Sequence, residues 1–316
     1  LGFLKGEFPE ITVSDTPALV LERPVAADPP RLSAVELLEH RKFSAVSIEH
    51  PPAAERTSEF GGFLDGAQKV QVLAYPKGIP IVLGTVSAGI RCRIEKRLIT
   101  WREREPAVER RLYMPLAYLG SKKFSSSDRF TTVDTSETDS SGVAPDAHPL
   151  GLVDRAVQLV QQHRETVENL FAEDWCDSES SPLFIDGGIS GSPRVAASPL
   201  AIGVIKSHRT LYLENSALPA LFALKKGERS TVFRVSGVSR RTIASWYLRI
   251  RSAVGQDPLW GLVRVEIADT PDAISRADEI SRWVMAESSP LSLPDGRWDK
   301  MAYGIRDTEE FLRAIS

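Results

Sequence analysis

Cysteine is nearly absent: Cys92 and Cys176 are the only two in 316 residues. Two are too few for a disulfide framework, and no Cys-x-x-Cys pair suggests zinc. Such usage fits a reducing cytoplasm. No run approaches the ~20 apolar residues that span a bilayer, and no signal-peptide pattern opens the chain, so neither a membrane nor secretion is expected. A Gly-x-x-x-x-Gly-Lys-Ser/Thr phosphate loop is missing too, which argues against an ATP-driven motor. Charge of one sign is not in excess: 39 Lys and Arg face 42 Asp and Glu, a formal net charge of −3 with a pI near 6.1. Any nucleic-acid contact must then come from local basic clusters rather than from a global field. The remaining composition, 42% hydrophobic and 26% charged, is that of a globular chain able to bury one large core or two modest ones.

Two stretches carry the chemistry. Ser181-Pro182-Leu183-Phe184-Ile185-Asp186-Gly187-Gly188 reads as a buried strand that ends by delivering a carboxylate. After a Gly/Ser/Pro loop, Leu200 to Ile205 forms a second strand that delivers Lys206. An earlier run, Phe60-Gly61-Gly62-Phe63-Leu64-Asp65-Gly66, has the same form as the first. Two such strands side by side would set Asp65 against Asp186. Neighbouring carboxylates repel unless a cation sits between them, which implies Mg²⁺ or Mn²⁺. The plainer alternative is two ordinary Asp-Gly turns.

Around these stretches the pattern is mixed. Residues 1–58 are an N-terminal extension with a proline-rich arm at 24–30 and a helical patch from Ser33 to His40, opened by a capping-box-like Ser-x-x-Glu. Strands follow at Val70–Tyr75 and, past Pro76-Lys77-Gly78, from Ile79 to Ile94; Arg91, Arg93, Lys96 and Arg97 make one face basic. Residues 101–120 are helical or irregular, and 121–149, rich in Ser, Thr and Asp, form a flexible insertion. From Leu150 to Ala172 an apolar face recurs at helical spacing, with Glu165 and Glu168 on the polar side. Three further strands (231–238, 245–251, 262–267), an amphipathic helix (271–286), a Pro/Gly loop (290–296) and a last helix complete a second region, 59–316.

Strand with Asp, two more strands, a long helix, then a second strand with Asp is the order of the ribonuclease-H-like fold, an α/β mixed sheet flanked by helices. In that fold the first and fourth strands are adjacent and parallel. Phe63-Leu64-Asp65-Gly66, Leu183-Phe184-Ile185-Asp186-Gly187, Gly203-Val204-Ile205-Lys206 and Trp246-Tyr247-Leu248-Arg249-Ile250 resemble, in order, blocks of the NurA nucleases, across roughly residues 60–315. The resemblance implies a metal-dependent DNA nuclease that works as a homodimer beside the HerA-like hexameric ATPase, in DNA end processing or anti-phage defence. It implies Asp65 and Asp186 as metal ligands, Glu168 (or Glu165) as the helix acid, and Lys206 as the strand-borne lysine. Where the family often has Ala-His near the C-terminus, this chain has Ala302-Tyr303.

Hard oxygen ligands suit Mg²⁺ or Mn²⁺, and Lys206 suits the scissile phosphate as a point charge. Each residue has a plainer use as well. A glutamate on the polar side of a helix is by default solvated, and Lys206 could simply open a polar loop. Arg249 and Arg251 suit a DNA backbone or an exposed strand face, and Glu266 a core edge or a fourth ligand. Trp246, Tyr247 and Trp260 suit base stacking or packing. A catalytically silent ribonuclease-H-like scaffold of a translocase, or a phosphotransferase using the same acids, competes with the nuclease reading.

Overall fold

The β-branched run on either side of Pro76-Lys77-Gly78 forms the spine of the protein, a hairpin of two long antiparallel strands. In the computed structural model, residues 31–49, 58–95, 97–120, 130–136, 148–237, 240–288 and 302–316 are described. The strands are β1 (Arg31–Ser33), β2 (Glu36–Leu37), β3 (Ala45–Ser47), β4 (Gly62–Ala74), β5 (Ile81–Ile94), β6 (Arg97–Thr100), β7 (Ala107–Met114) and β8 (Thr131–Asp134). They continue with β9 (Leu183–Asp186), β10 (Ala201–Ile205), β11 (Thr210–Tyr212), β12 (Glu228–Ser230), β13 (Phe233–Gly237), β14 (Arg240–Arg249) and β15 (Leu262–Ala268). The α-helices are α1 (Leu116–Leu119), α2 (Pro149–Ser178), α3 (Pro193–Ala197), α4 (Leu218–Phe222), α5 (Pro271–Ser275), α6 (Ala277–Glu287) and α7 (Tyr303–Ile315).

One mixed sheet runs β2-β13-β14-β15-β10-β9-β4-β5-β7-β8, with β6 on β5, β12 on β14, and β3 on β12; β1 and β11 pair separately. β4, β9 and β10 are mutually parallel at its centre, and β5, β7 and β15 run antiparallel to their inner neighbours. The protein is therefore α/β, a large mixed sheet flanked by helices.

Alternation along the strands sorts the core into two layers. On one face Leu64, Val86, Ile90 and Ile185 pack with Val153, Val157, Val160, Val167, Phe171 and Trp175 of α2. These helix positions recur at three- and four-residue spacing, which is why this stretch is legible as a helix. On the other face Phe63, Phe184, Ile202 and Val204 pack with Ile280 and Val284 of α6 and Ile305 of α7. Glycine permits two of the closest approaches: a Cβ on Gly62 would strike the Trp175 ring, and one on Gly304 the Phe63 ring.

Several expectations need correction. The patch at 33–40 is not a helix: Ser33 closes β1, Glu36–Leu37 is β2 and a bend follows, because β11 and β13 offer backbone partners and the alternating Val35 and Leu37 pack beside Leu213 and Tyr247. Residues 107–114 are a strand: β7 pairs along β5 from Ala107 to Tyr113, its Val108 and Arg110 exposed and its Leu112, Tyr113 and Met114 buried. Within the stretch expected to be a flexible insertion, Thr131–Asp134 pairs with β7, and Asp134 Oδ1 accepts from the Leu116 N–H (3.0 Å). The rest of that insertion (121–129, 137–147), the 24–30 arm, Lys96 and the 290–296 loop lie outside the described residues. Strand β4 also does not stop at Asp65-Gly66 but runs on to Ala74. Among the described residues, no helix is long and apolar enough to cross a membrane.

Candidate active site

Parallel pairing of β4 with β9 registers Phe63 with Phe184 and Leu64 with Ile185. Asp65 and Asp186 are the next residues on the two strands, so the two carboxylates come level on neighbouring strands. By alternation both fall on the face of Phe63 and Phe184. Strand β10 lies parallel on the far side of β9, with Val204 opposite Asp186. Two residues on, Lys206 Nζ donates to Asp186 Oδ2 at 2.7 Å. Asp65, Asp186 and Lys206 are thus brought together as their strand positions predict.

The helix acid arrives from the opposite face. Helix α2 lays Glu168 over Gly66, where the missing side chain makes room; a Cβ there would overlap the Glu168 carboxylate. Arg164, one turn earlier on α2, pairs with Glu168 and donates from Nε to Gln68 Oε1 at 3.2 Å. Glu165 is exposed, accepts from Gln161 at 3.0 Å and borders the same cleft as Glu168 without lying on the strand. Of the two candidates it is Glu168 that lies against the Asp-Gly strand. Arg164 is a site residue that sequence reasoning missed, although its i,i+4 spacing from Glu168 was visible.

Charge in this group is under-compensated. Burial, then the neighbouring Asp186 charge, push the Asp65 carboxyl well above the usual carboxylate range; Lys206 pulls the other way and Glu168 adds to the rise. Burial likewise raises Glu168 to about 7 against the opposing pull of Arg164. Both acids sit where more positive charge would be stabilising.

The turn after Asp186 is fixed from below. Gly187 has φ 147°, a backbone region that favours glycine. Glu266, on β15 and 3% exposed, accepts from the Ile189 N–H at 2.9 Å and pairs with Arg264 at 2.6 Å. Glu266 is therefore a buried anchor of the Gly187–Ile189 loop. Between this loop and α2 opens a cleft of about 160 Å³, whose walls include Arg164, Glu168, Asn169, Asp186, Gly187 and Ser190. Asp65 lies outside its lining and is 8% exposed.

The other basic and aromatic candidates serve the fold. Arg249 is fully buried and donates to the Leu224 and Trp260 carbonyls, so it forms no part of a surface channel. Arg91 is held by Asp307 (2.8 Å) and Arg93 by Glu287 (2.7 Å). Arg251 donates to the Ser288 carbonyl. Trp246 and Tyr247 are fully buried, bonded to Ser281 and to the Tyr212 N–H. Tyr303 begins α7 and is half-exposed. His163 lies apart, buried between Tyr113 and Glu109.

As a donor set, Asp65, Asp186 and Glu168 offer only hard oxygens, the chemistry of Mg²⁺ or Mn²⁺. Among the described residues, no three His, Cys, Asp or Glu side chains form a group ready to hold a metal. Side-chain cations instead hold two of the acids: Lys206 on Asp186 and Arg164 on Glu168. No family model matches this chain, and no curated protein matches it.

Proposed function

We propose that the protein is a divalent-metal-dependent DNA nuclease of the NurA type with a ribonuclease-H-like core. The observation that carries this reading is the placement of Asp65 and Asp186 level on adjacent parallel strands, with Lys206 bonded to the second. The strand order supports it. Read as β7-β5-β4-β9-β10, the sheet has its first, fourth and fifth strands in sequence parallel and its second antiparallel, with α2 between the third and fourth. Under-compensated buried carboxylates with hard oxygens fit Mn²⁺ or Mg²⁺.

A bound ion of this kind would supply an activated water and neutralise charge on the phosphate. Asp65 and Asp186 would hold it, with Glu168 as the third ligand from α2. Lys206 balances the Asp186 charge and would steady a phosphate oxygen as a point charge. The burial of Asp65 keeps water from screening these charges. With a net charge of −3 and Arg91, Arg93 and Arg249 engaged within the fold, the chain has no excess of positive charge for gripping DNA alone. Delivery of DNA by a HerA-like hexameric ATPase to a homodimer in the cytoplasm would raise its effective concentration at the site. End processing and anti-phage defence are the roles such a pair would fill.

One observation favours the silent-scaffold alternative: protein cations already hold Asp186 and Glu168. Cleavage of linear duplex and single-stranded DNA with Mn²⁺, against EDTA, separates the two. Asp65→Asn and Asp186→Asn should fold and lose cleavage. Full activity in either folded variant, or no cleavage by the wild type with or without the ATPase, would overturn the nuclease reading.

A further inference from the structure

We propose that Arg164 is an exchangeable counter-ion, which neutralises Glu168 until a divalent cation takes that carboxylate and then binds a phosphate of the nucleic-acid strand in the adjoining cleft. The inference rests on the metal-dependent reading above and deepens it by naming a substrate-binding residue.

Arg164 stands where the acids and the cleft meet. Its Nη1 group is on Glu168, its Nε group is on Gln68 at 3.2 Å, and its Nη2 group has no hydrogen-bond partner among the described residues. Its side chain is 23% exposed and lines the cleft together with Glu168, Asn169, Asp186 and Ser190. A guanidinium and a divalent cation repel, and they compete for the same carboxylate oxygens. Once Glu168 serves a metal, the pair with Arg164 weakens and the fork is released beside the space a strand would enter. The planar fork then matches two oxygens of a phosphate, which an ammonium does not. Gly187, Gly188 and Gly191 line the same cleft without side chains, leaving room for a sugar-phosphate chain to approach the backbone.

A purely structural arginine and an exchangeable one differ in the sign of their effects. The full-length wild type, Arg164→Gln and Arg164→Lys are compared in two measurements. The first is Mn²⁺ binding by isothermal titration calorimetry. The second is binding of a fluorescein-labelled DNA oligonucleotide by anisotropy, with Ca²⁺ in place of Mn²⁺ and at matched salt. Removing a competing cation predicts Mn²⁺ bound about tenfold more tightly by Arg164→Gln, and losing a bidentate phosphate contact predicts DNA bound about tenfold more weakly. Arg164→Lys keeps a charge without the fork, so it should hold Mn²⁺ near the wild-type affinity and still lose DNA affinity. It also serves as the reference if the glutamine variant is poorly folded by circular dichroism. Wild-type Mn²⁺ uptake with unchanged or weaker uptake in Arg164→Gln would overturn this role alone, as would undiminished DNA affinity in both variants. No Mn²⁺ uptake by the wild type would remove the metal reading and this inference with it.

Discussion

Replacing Glu168 with glutamine tests the electrostatics of the site without any assay of cleavage. Burial raises the Glu168 carboxyl from an ordinary 4.5 to about 7, with Arg164 opposing. The folded chain then binds this proton more tightly than the unfolded chain does. Stability is full below the unfolded value and is lost as pH rises through the folded one. At about 1.4 kcal/mol per pH unit, the ionised carboxylate costs the fold on the order of 3 kcal/mol at about pH 8, and about 1 kcal/mol at about pH 5. The side chain is 16% exposed, so screening by solvent trims these values only modestly. Glutamine keeps the shape and a contact for Arg164 without the charge. Urea denaturation of both metal-free proteins should show Glu168→Gln more stable by about 3 kcal/mol near pH 8, shrinking to about 1 kcal/mol near pH 5. Groups that titrate alike in both proteins cancel in the difference. Adding Mn²⁺ should stabilise the wild type more than the variant, because the lost charge is what the ion would bind. A variant less stable than the wild type near pH 8, or a gain equal at both pH values, would refute the reasoning.

Two further outcomes follow from the same geometry and its proposed use. Gly66→Ala should cost about 1–3 kcal/mol by overpacking against the Glu168 carboxylate. Adding Glu168→Ala should restore much of that stability, measured by thermal melting, without restoring cleavage; equal stability of Gly66→Ala and wild type would mean that Glu168 does not rest there. The isolated chain should run as a dimer in light scattering and cut linear duplex weakly and in a salt-sensitive way, with a large stimulation by a HerA-like hexamer and ATP. A monomeric mass, or equal rates with and without the hexamer at matched salt, would count against that assembly.

Much of the centre of the fold was legible because its signals are local. Helix α2 declares itself through ten buried positions at helical spacing, and β9 and β10 are short apolar runs, the first closed by Asp186 and the second followed by Lys206. The edges were harder to read. The segment from Ser33 to His40 has a plausible helix start, yet unpaired backbone on β11 and β13 decides its conformation from nearly two hundred residues away. Strand β7 carries Glu109, Arg110 and Arg111 at its middle, whose charge hides a strand that the long edge of β5 makes favourable. Arg249 looks like a DNA contact in a linear reading because nothing local announces that the Leu224 and Trp260 carbonyls await it. Burial of a charge is a property of its partners, and those are distant in sequence.

The two Asp-Gly pairs show the same limit at the site itself. In sequence they are one signal, a carboxylate at the end of an apolar strand followed by a turn-forming glycine. At Asp186-Gly187 that reading holds: the strand stops, and Gly187 takes a φ of 147° that a side chain would resist. At Asp65-Gly66 the strand continues for eight residues beyond Gly66, from Ala67 to Ala74. Gly66 pairs with Ala88 within the ladder, and what its missing side chain provides is space for Glu168. One glycine turns the chain away so that Asp186 stands at a strand end beside the cleft. The other lets a helix bring its acid down onto a continuous strand. Substitutions should therefore fail differently. A residue at position 187 strains the backbone whatever its size, whereas at position 66 the penalty tracks the Glu168 side chain and shrinks when that side chain is shortened.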